Sequence, residues 1–175
     1  MNFHEGDSVV HWTFGLGKIS QLEERDVSGQ KILYYVVQIG DLAVWVPVDS
    51  AAETRLRPPT SAAKFEKLVN TLSKPSETLP ADRHQRKILL MDWLKDGRVE
   101  SLFRVIRSLV ACQKTHPLSD NDHELLKRSE AILIGEWTFS MSIPVNEAQN
   151  TLHRMLAAAP ATALVKSSPQ IQTVP

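Results

Sequence analysis

Gly6-Asp7-Ser8-Val9-Val10-His11-Trp12-Thr13-Phe14-Gly15-Leu16-Gly17-Lys18-Ile19 is the stretch whose reading decides the fold of this 175-residue chain. Its Gly15-Leu16-Gly17-Lys18 segment has the glycines and the lysine of a phosphate-cradling loop. A P-loop requires G-x-x-x-x-G-K-[ST] between a strand and a helix. Here one residue separates the glycines, Ile19 follows the lysine, and a strand-like pattern resumes directly after. No helix N-terminus is at hand to receive an anion. The segment reads instead as a turn between strands, where glycine reaches backbone angles closed to other residues.

Outward from that turn, the first 60 residues alternate short β-rich runs with turn residues. The runs are Ser8–Trp12, Lys18–Glu24, Ile32–Ile39 and Leu42–Val48. The third, ILYYVVQI, is β-branched and aromatic and is the clearest strand. Ser28-Gly29 marks a hairpin turn before it and Gly40-Asp41 a tight turn after it. Pro47 cannot donate to a ladder, so the fourth run lies at an edge or ends there. Four or five short strands in about 55 residues are the signature of a small SH3-like or Tudor-like barrel.

Past Pro58-Pro59-Thr60 the period changes to that of helices. Helices are expected over 62–72, 82–95, 98–113, from Ser119 to about Ser140, and from near Pro144 into Leu156. Val99, Leu102, Phe103, Ile106, Leu109 and Val110 form one apolar stripe. Ser119-Asp120-Asn121-Asp122 fits a capping box. Ser73–Pro80 reads as a loop. The expected fold class is α+β: a barrel over 1–60, an all-α bundle of about five helices over 61–159, and a disordered tail over 160–175.

Formal net charge is zero, with 20 basic and 20 acidic side chains. The distribution is uneven. Residues 1–60 carry five basic and eight acidic groups, and residues 83–114 carry eight basic and three acidic. Two surfaces with different partners are implied. The single cysteine, Cys112, follows an apolar run and is expected to be buried; one cysteine excludes an internal disulfide and points to a reducing, cytoplasmic compartment. The N-terminus has no apolar signal region and no apolar run is long enough for a membrane span. His4, His11, His84, His116, His123 and His153 are scattered, none with the i, i+4 partner of a metal helix, and no G-x-S-x-G elbow is present. No catalytic residue, metal or cofactor is expected.

Phe3, Gly6-Asp7, Val9-Val10-His11, Gly15, Gly17 and Ile19 together resemble the opening of the CarD/CdnL family, shared with the RNA-polymerase-interacting domain of the transcription-repair coupling factor. The similarity continues through "YYVVQI", "LAVWVPVDSA" and the boundary segment "LRPPTS". In the helical half it runs through "WLKDGRVESLFRVIRSL" and "LSDNDHELLKRSEAILIGE". It covers roughly residues 1–158. The resemblance implies a non-enzymatic transcription regulator, and the chain is expected to act as a monomer. Its barrel would dock on the β subunit of RNA polymerase, and its helices would contact promoter DNA, without sequence specificity, at the upstream edge of the bubble to stabilise the open complex.

On the polymerase side the candidates are the Leu42–Pro47 strand, with Leu42, Val44, Trp45 and Pro47, and Arg25 in the turn before Gly29. Docking of this kind uses an exposed strand edge with a few anchors. Trp45 stands where the family commonly has a basic residue; alternation places Val44 and Val46 on the opposite face, against the alternative of a core tryptophan. For Arg25 the alternative is a solvated loop charge. On the DNA side the family usually has a tryptophan near the start of the second helix; here Arg83 stands at that position, followed by Arg86 and Lys87. Lys127-Arg128 fall where the family has basic residues facing DNA. Such groups give salt-dependent affinity for phosphates, or are solvated helix faces. Trp93 belongs to an apolar run and is expected in the core. The alternative function is a polymerase-binding adaptor without DNA contact, and a further one an unrelated Tudor-like module that reads some other peptide.

Overall fold

The computed structural model describes residues 2–49 and 52–162. Five strands come first: β1 Ser8–His11, β2 Gly15–Val27, β3 Gln30–Ile39, β4 Leu42–Pro47 and, after the short helix α1 Ala52–Arg55, β5 Leu56–Arg57. All pairings are antiparallel, in the order β4-β3-β2-β1-β5. The chain is α+β: helices α2 Ala62–Val69, α3 Arg83–Leu94, α4 Val99–Gln113, α5 Asp120–Met141 and α6 Val145–Ala158 follow the sheet.

The glycines of the opening stretch have separate tasks. Gly15 has φ +87 and begins β2, so the segment read as a turn is already strand. A Cβ on Gly17 would stand 2.5 Å from Ile39 Cγ1 and 2.7 Å from the carbonyl oxygen of Gln38. Only a residue without a side chain lets β2 approach the end of β3 this closely. The β2–β3 hairpin turns at Ser28 (φ 56) and Gly29 (φ 82), the double positive φ of a two-residue hairpin. Asp26 Oδ1 accepts the Gly29 N–H at 2.9 Å. Pro47 ends β4, which forms one edge of the sheet as its missing donor requires.

The sheet closes over Phe3, Val9, Ile19, Tyr35, Val37, Val46, Ala52 and Leu56. A larger core joins the helices, with Phe65, Leu90, Phe103, Ile106, Leu109, Leu133 and Leu152 fully or almost fully buried. Trp93 and Cys112 lie in or against it, as their apolar neighbours predict. Asp82 caps α3, accepting from Gln85 N at 2.8 Å. Ser119 and Asp122 form the complete capping box of α5. Residues 163–175, most of the tail expected to be disordered, lie outside the described residues. Just before them, Thr162 N donates to Ala111 O at 3.2 Å and its hydroxyl lies 2.7 Å from Ser76 Oγ, which fixes the chain against the end of α4.

Candidate functional site

Two surfaces and the seam between them carry the residues of interest. On the outer face of the sheet, Trp45 of β4 stands directly across from Val36 of β3, and one register step along, Glu23 of β2, Tyr34 of β3 and Pro47 of β4 share a row. Trp45 is 39 % exposed while Val46 is buried, so alternation turns the indole outward. Its Nε1 donates to Glu23 Oε2 at 3.0 Å. Arg25 Nε donates to Glu23 Oε1 at 2.7 Å, and the guanidinium lies 4.4 Å from the centre of the indole ring. The Arg25 hydrogen bond, joined by that from Trp45, holds the Glu23 carboxyl below its ordinary value. Arg25 and Trp45, nominated separately from the sequence, are one stacked unit. Arg25 is in β2 and not in the turn, because the hairpin ladder extends to Val27 and Gln30. Leu42 is exposed and Pro47 half-buried on the same edge strand. Val44 is half-buried: its side chain packs against the sheet core on the face opposite Trp45.

The second surface lies between α3 and α5. Lys87 and Met91 of α3 and Asn121, Glu124, Leu125 and Arg128 of α5 line one groove. Arg83 and Lys127 are exposed on the same two helices. None of Arg83, Lys87, Lys127 and Arg128 forms a hydrogen bond or ion pair among the described residues. Arg86 corrects the sequence reading. It is 3 % exposed and turns inward from α3, with Nη2 and Nε on Asp122 Oδ2 at 2.8 and 3.1 Å and Nη1 on the Pro80 carbonyl at 2.8 Å. With four of its five N–H donors engaged inside the protein, that guanidinium is not presented to a phosphate. Burial works against the ionised Asp122, but the bonds from Arg86 and Ser119 outweigh it and hold the carboxyl below its usual range.

At the seam, Arg57 of β5 reaches Glu136 of α5, with Nη1–Oε1 at 2.6 Å and Nη2–Oε2 at 2.7 Å. Sequence reasoning missed Glu136, although a carboxylate inside the apolar run Ile132–Trp137 signals a buried partner elsewhere. It missed Glu23 too, two residues from Arg25 and so on the same strand face. His11 is buried at the seam beside Phe14, and its Nδ1 accepts the N–H groups of Thr13 at 3.1 Å and Phe14 at 3.3 Å. Burial, with the nearby Arg55 charge, lowers its pKa to about 4. Among the described residues no cluster of three His, Cys, Asp or Glu side chains could hold a metal ion, and no helix is long and apolar enough to cross a membrane.

The two surfaces correspond to two known domains. Residues 3–59 match the CarD-like/TRCF RID domain, and residues 67–153 match the CarD C-terminal domain. The chain belongs to the CarD-like family. It is also similar to a Bacillus subtilis (strain 168) protein, YdeB, described as a candidate transcription factor. The two are 24 % identical over 136 residues, which cover 77 % of this chain and 89 % of YdeB. The domain boundary falls at the seam, so Arg57 and Glu136 sit one in each CarD-like domain. The family makes this chain a transcription-associated regulator.

Proposed function

We propose that this CarD-like chain docks on the β subunit of bacterial RNA polymerase and stabilises the promoter open complex. Residues 1–60 are the docking unit, using the β4 edge with Arg25, Leu42, Trp45 and Pro47. Residues 61–159 are the DNA-facing unit, with Arg83, Lys87, Lys127 and Arg128 along promoter DNA at the upstream edge of the bubble. The observation that carries this reading is the Glu23–Arg25–Trp45 cluster. It presents an aromatic ring and a guanidinium, both frequent interface anchors, held in one geometry beside an unpaired strand edge that a partner strand can extend. The unpaired lysines and arginines across the α3–α5 groove supply the phosphate contacts. A ligand that prefers the open to the closed complex shifts the population toward open by its differential affinity, and each 1.4 kcal/mol or so is about tenfold.

The test is open-complex lifetime with the cognate polymerase, alone and with wild type, Trp45→Ala or Arg83→Ala. Wild type lengthens the lifetime. Trp45→Ala costs about 2 kcal/mol of polymerase affinity and requires correspondingly more protein for the same effect. Arg83→Ala leaves polymerase binding intact and shortens the lifetime. An unchanged lifetime with saturating wild type sinks the reading. One observation favours a second reading: Glu124 shares the groove with Lys87 and Arg128, and Arg83 replaces the family tryptophan. A polymerase-binding adaptor without DNA contact would bind the β subunit and leave upstream DNA unprotected even at low salt.

A further inference from the structure

We infer that the Arg57–Glu136 pair is a positioning element that locks the sheet and the helices in one orientation, so that the two contact surfaces act on their targets together. The functional half of this inference rests on the two-surface reading above; the lock itself stands on the geometry.

Arg57 is on β5, at the opposite edge of the sheet from the docking strand β4. Its guanidinium meets Glu136 fork to fork, and Glu136, in the last third of α5, is 0 % exposed. The Thr60 N–H adds a third bond to Glu136 Oε1 at 2.8 Å. Arg57 Nε donates to the Gly97 carbonyl at 2.7 Å, in the turn between α3 and α4. One arginine from the sheet therefore reaches two separate parts of the helical domain. The contact is tight on both sides of it. A Cβ on Gly97 (φ +66) would stand 2.7 Å from Thr54 O, and one on Gly15 would stand 3.4 Å from Ile132 Cγ1.

A carboxylate inside an apolar helix loses its hydration, and a buried ion pair adds little net stability compared with well-packed apolar side chains. Its distinct property is directional. Apolar faces tolerate sliding, whereas a bidentate arginine–carboxylate pair accepts one plane and one distance. Fixed orientation matters when one chain must hold two targets: once the sheet is docked, the basic groove meets DNA at an effective concentration set by how well the geometry is defined. Loosening the seam lowers that concentration without altering either surface.

The test uses the full chain with Glu136→Gln and, separately, Arg57→Lys. Spin labels on cysteines introduced at Gln30, the first residue of β3, and His123 at the start of α5 report the spread of distances between the domains. Both variants are expected to broaden that spread. Affinity for the polymerase β subunit stays within about twofold, because β4 is remote from the seam, while the gain in open-complex lifetime falls about tenfold or more. An unbroadened distance distribution overturns the lock. A broadened distribution with the full wild-type lifetime gain overturns the positioning role. Loss of polymerase affinity in both variants, with loss of helical circular dichroism, makes the pair a folding element and also overturns the inference. If wild type itself leaves the lifetime unchanged, the two-surface reading fails, and the distance measurement still judges the lock.

Discussion

On the outer face of the sheet, Glu23 and Arg25 pair in water and share a tryptophan. At the N-terminal ends of α3 and α5, Arg86 and Asp122 pair inside the protein, each side chain 4 % exposed. The two pairs use the same chemical groups at similar distances, 2.7 and 2.8 Å, and do opposite work. An exposed pair contributes little, because water competes for both charges. Its ions can exchange partners at little cost, which suits a docking face. A buried pair has no substitute solvent, and removing one partner strands the other. The location of an arginine, more than its charge, decides whether it belongs to a surface or to the frame that holds the surface.

The largest expected effect tests that contrast. Arg86→Ala leaves Asp122 buried without its cation and costs about 3–5 kcal/mol, whereas Arg25→Ala, which breaks a pair already in water, costs far less. Urea unfolding of both variants measures the difference, and similar losses would erase the distinction between the two regions.

The seam between the regions supplies an intermediate case, a buried group that stays neutral. His11 titrates near its ordinary value of about 6.5 in the unfolded chain and at about 4 in the folded one. Between those values the unfolded state binds more protons, so stability falls as pH drops from 6.5 toward 4, by about 3 kcal/mol in all. His11→Asn keeps an acceptor for the Thr13 and Phe14 amides without a titrating ring. Its unfolding free energy has a flatter pH profile in that window; an unchanged slope would assign the acid sensitivity to other groups.

The smallest effect sharpens the comparison at the α3–α5 groove, the surface proposed to face DNA. Lys87→Ala and Arg128→Ala each reduce the slope of log affinity for DNA against log salt by about 0.9, the contribution of one neutralised phosphate. Raising a binding isotherm series over several salt concentrations measures this directly. An equal slope in variant and wild type removes that residue from the contact set.

The fold was legible wherever it depends on local chemistry. Alternation and Ser28-Gly29 defined the β2–β3 hairpin, Pro47 marked an edge, and Ser119 with Asp122 marked the start of α5. The sequence makes the turn three residues too wide, over Gly15–Gly17, because glycines there serve close approach between strands as well as reversal. The four-residue α1 has too few residues to show a period. The candidate site was half legible. Alternation places Trp45 outward; Lys87 is singled out by its cluster with Arg83 and Arg86 at one helix end, and Arg128 by the resemblance to the CarD/CdnL family. The fate of Arg86 was hidden because its partner is 36 positions away, and that of Arg57 because Glu136 is 79 positions away. Pairings at such separations are decided by packing of whole helices and leave no local signal.

Asp122 ties two helix beginnings to one carboxylate. It accepts the Ser119 N–H and hydroxyl in the first turn of α5 while it neutralises the arginine of the first turns of α3. Helix ends ordinarily fray one by one, as small openings independent of the rest of the molecule. Here neither end can come undone without exposing the other's ion, so the two termini that frame the basic groove breathe as a single unit.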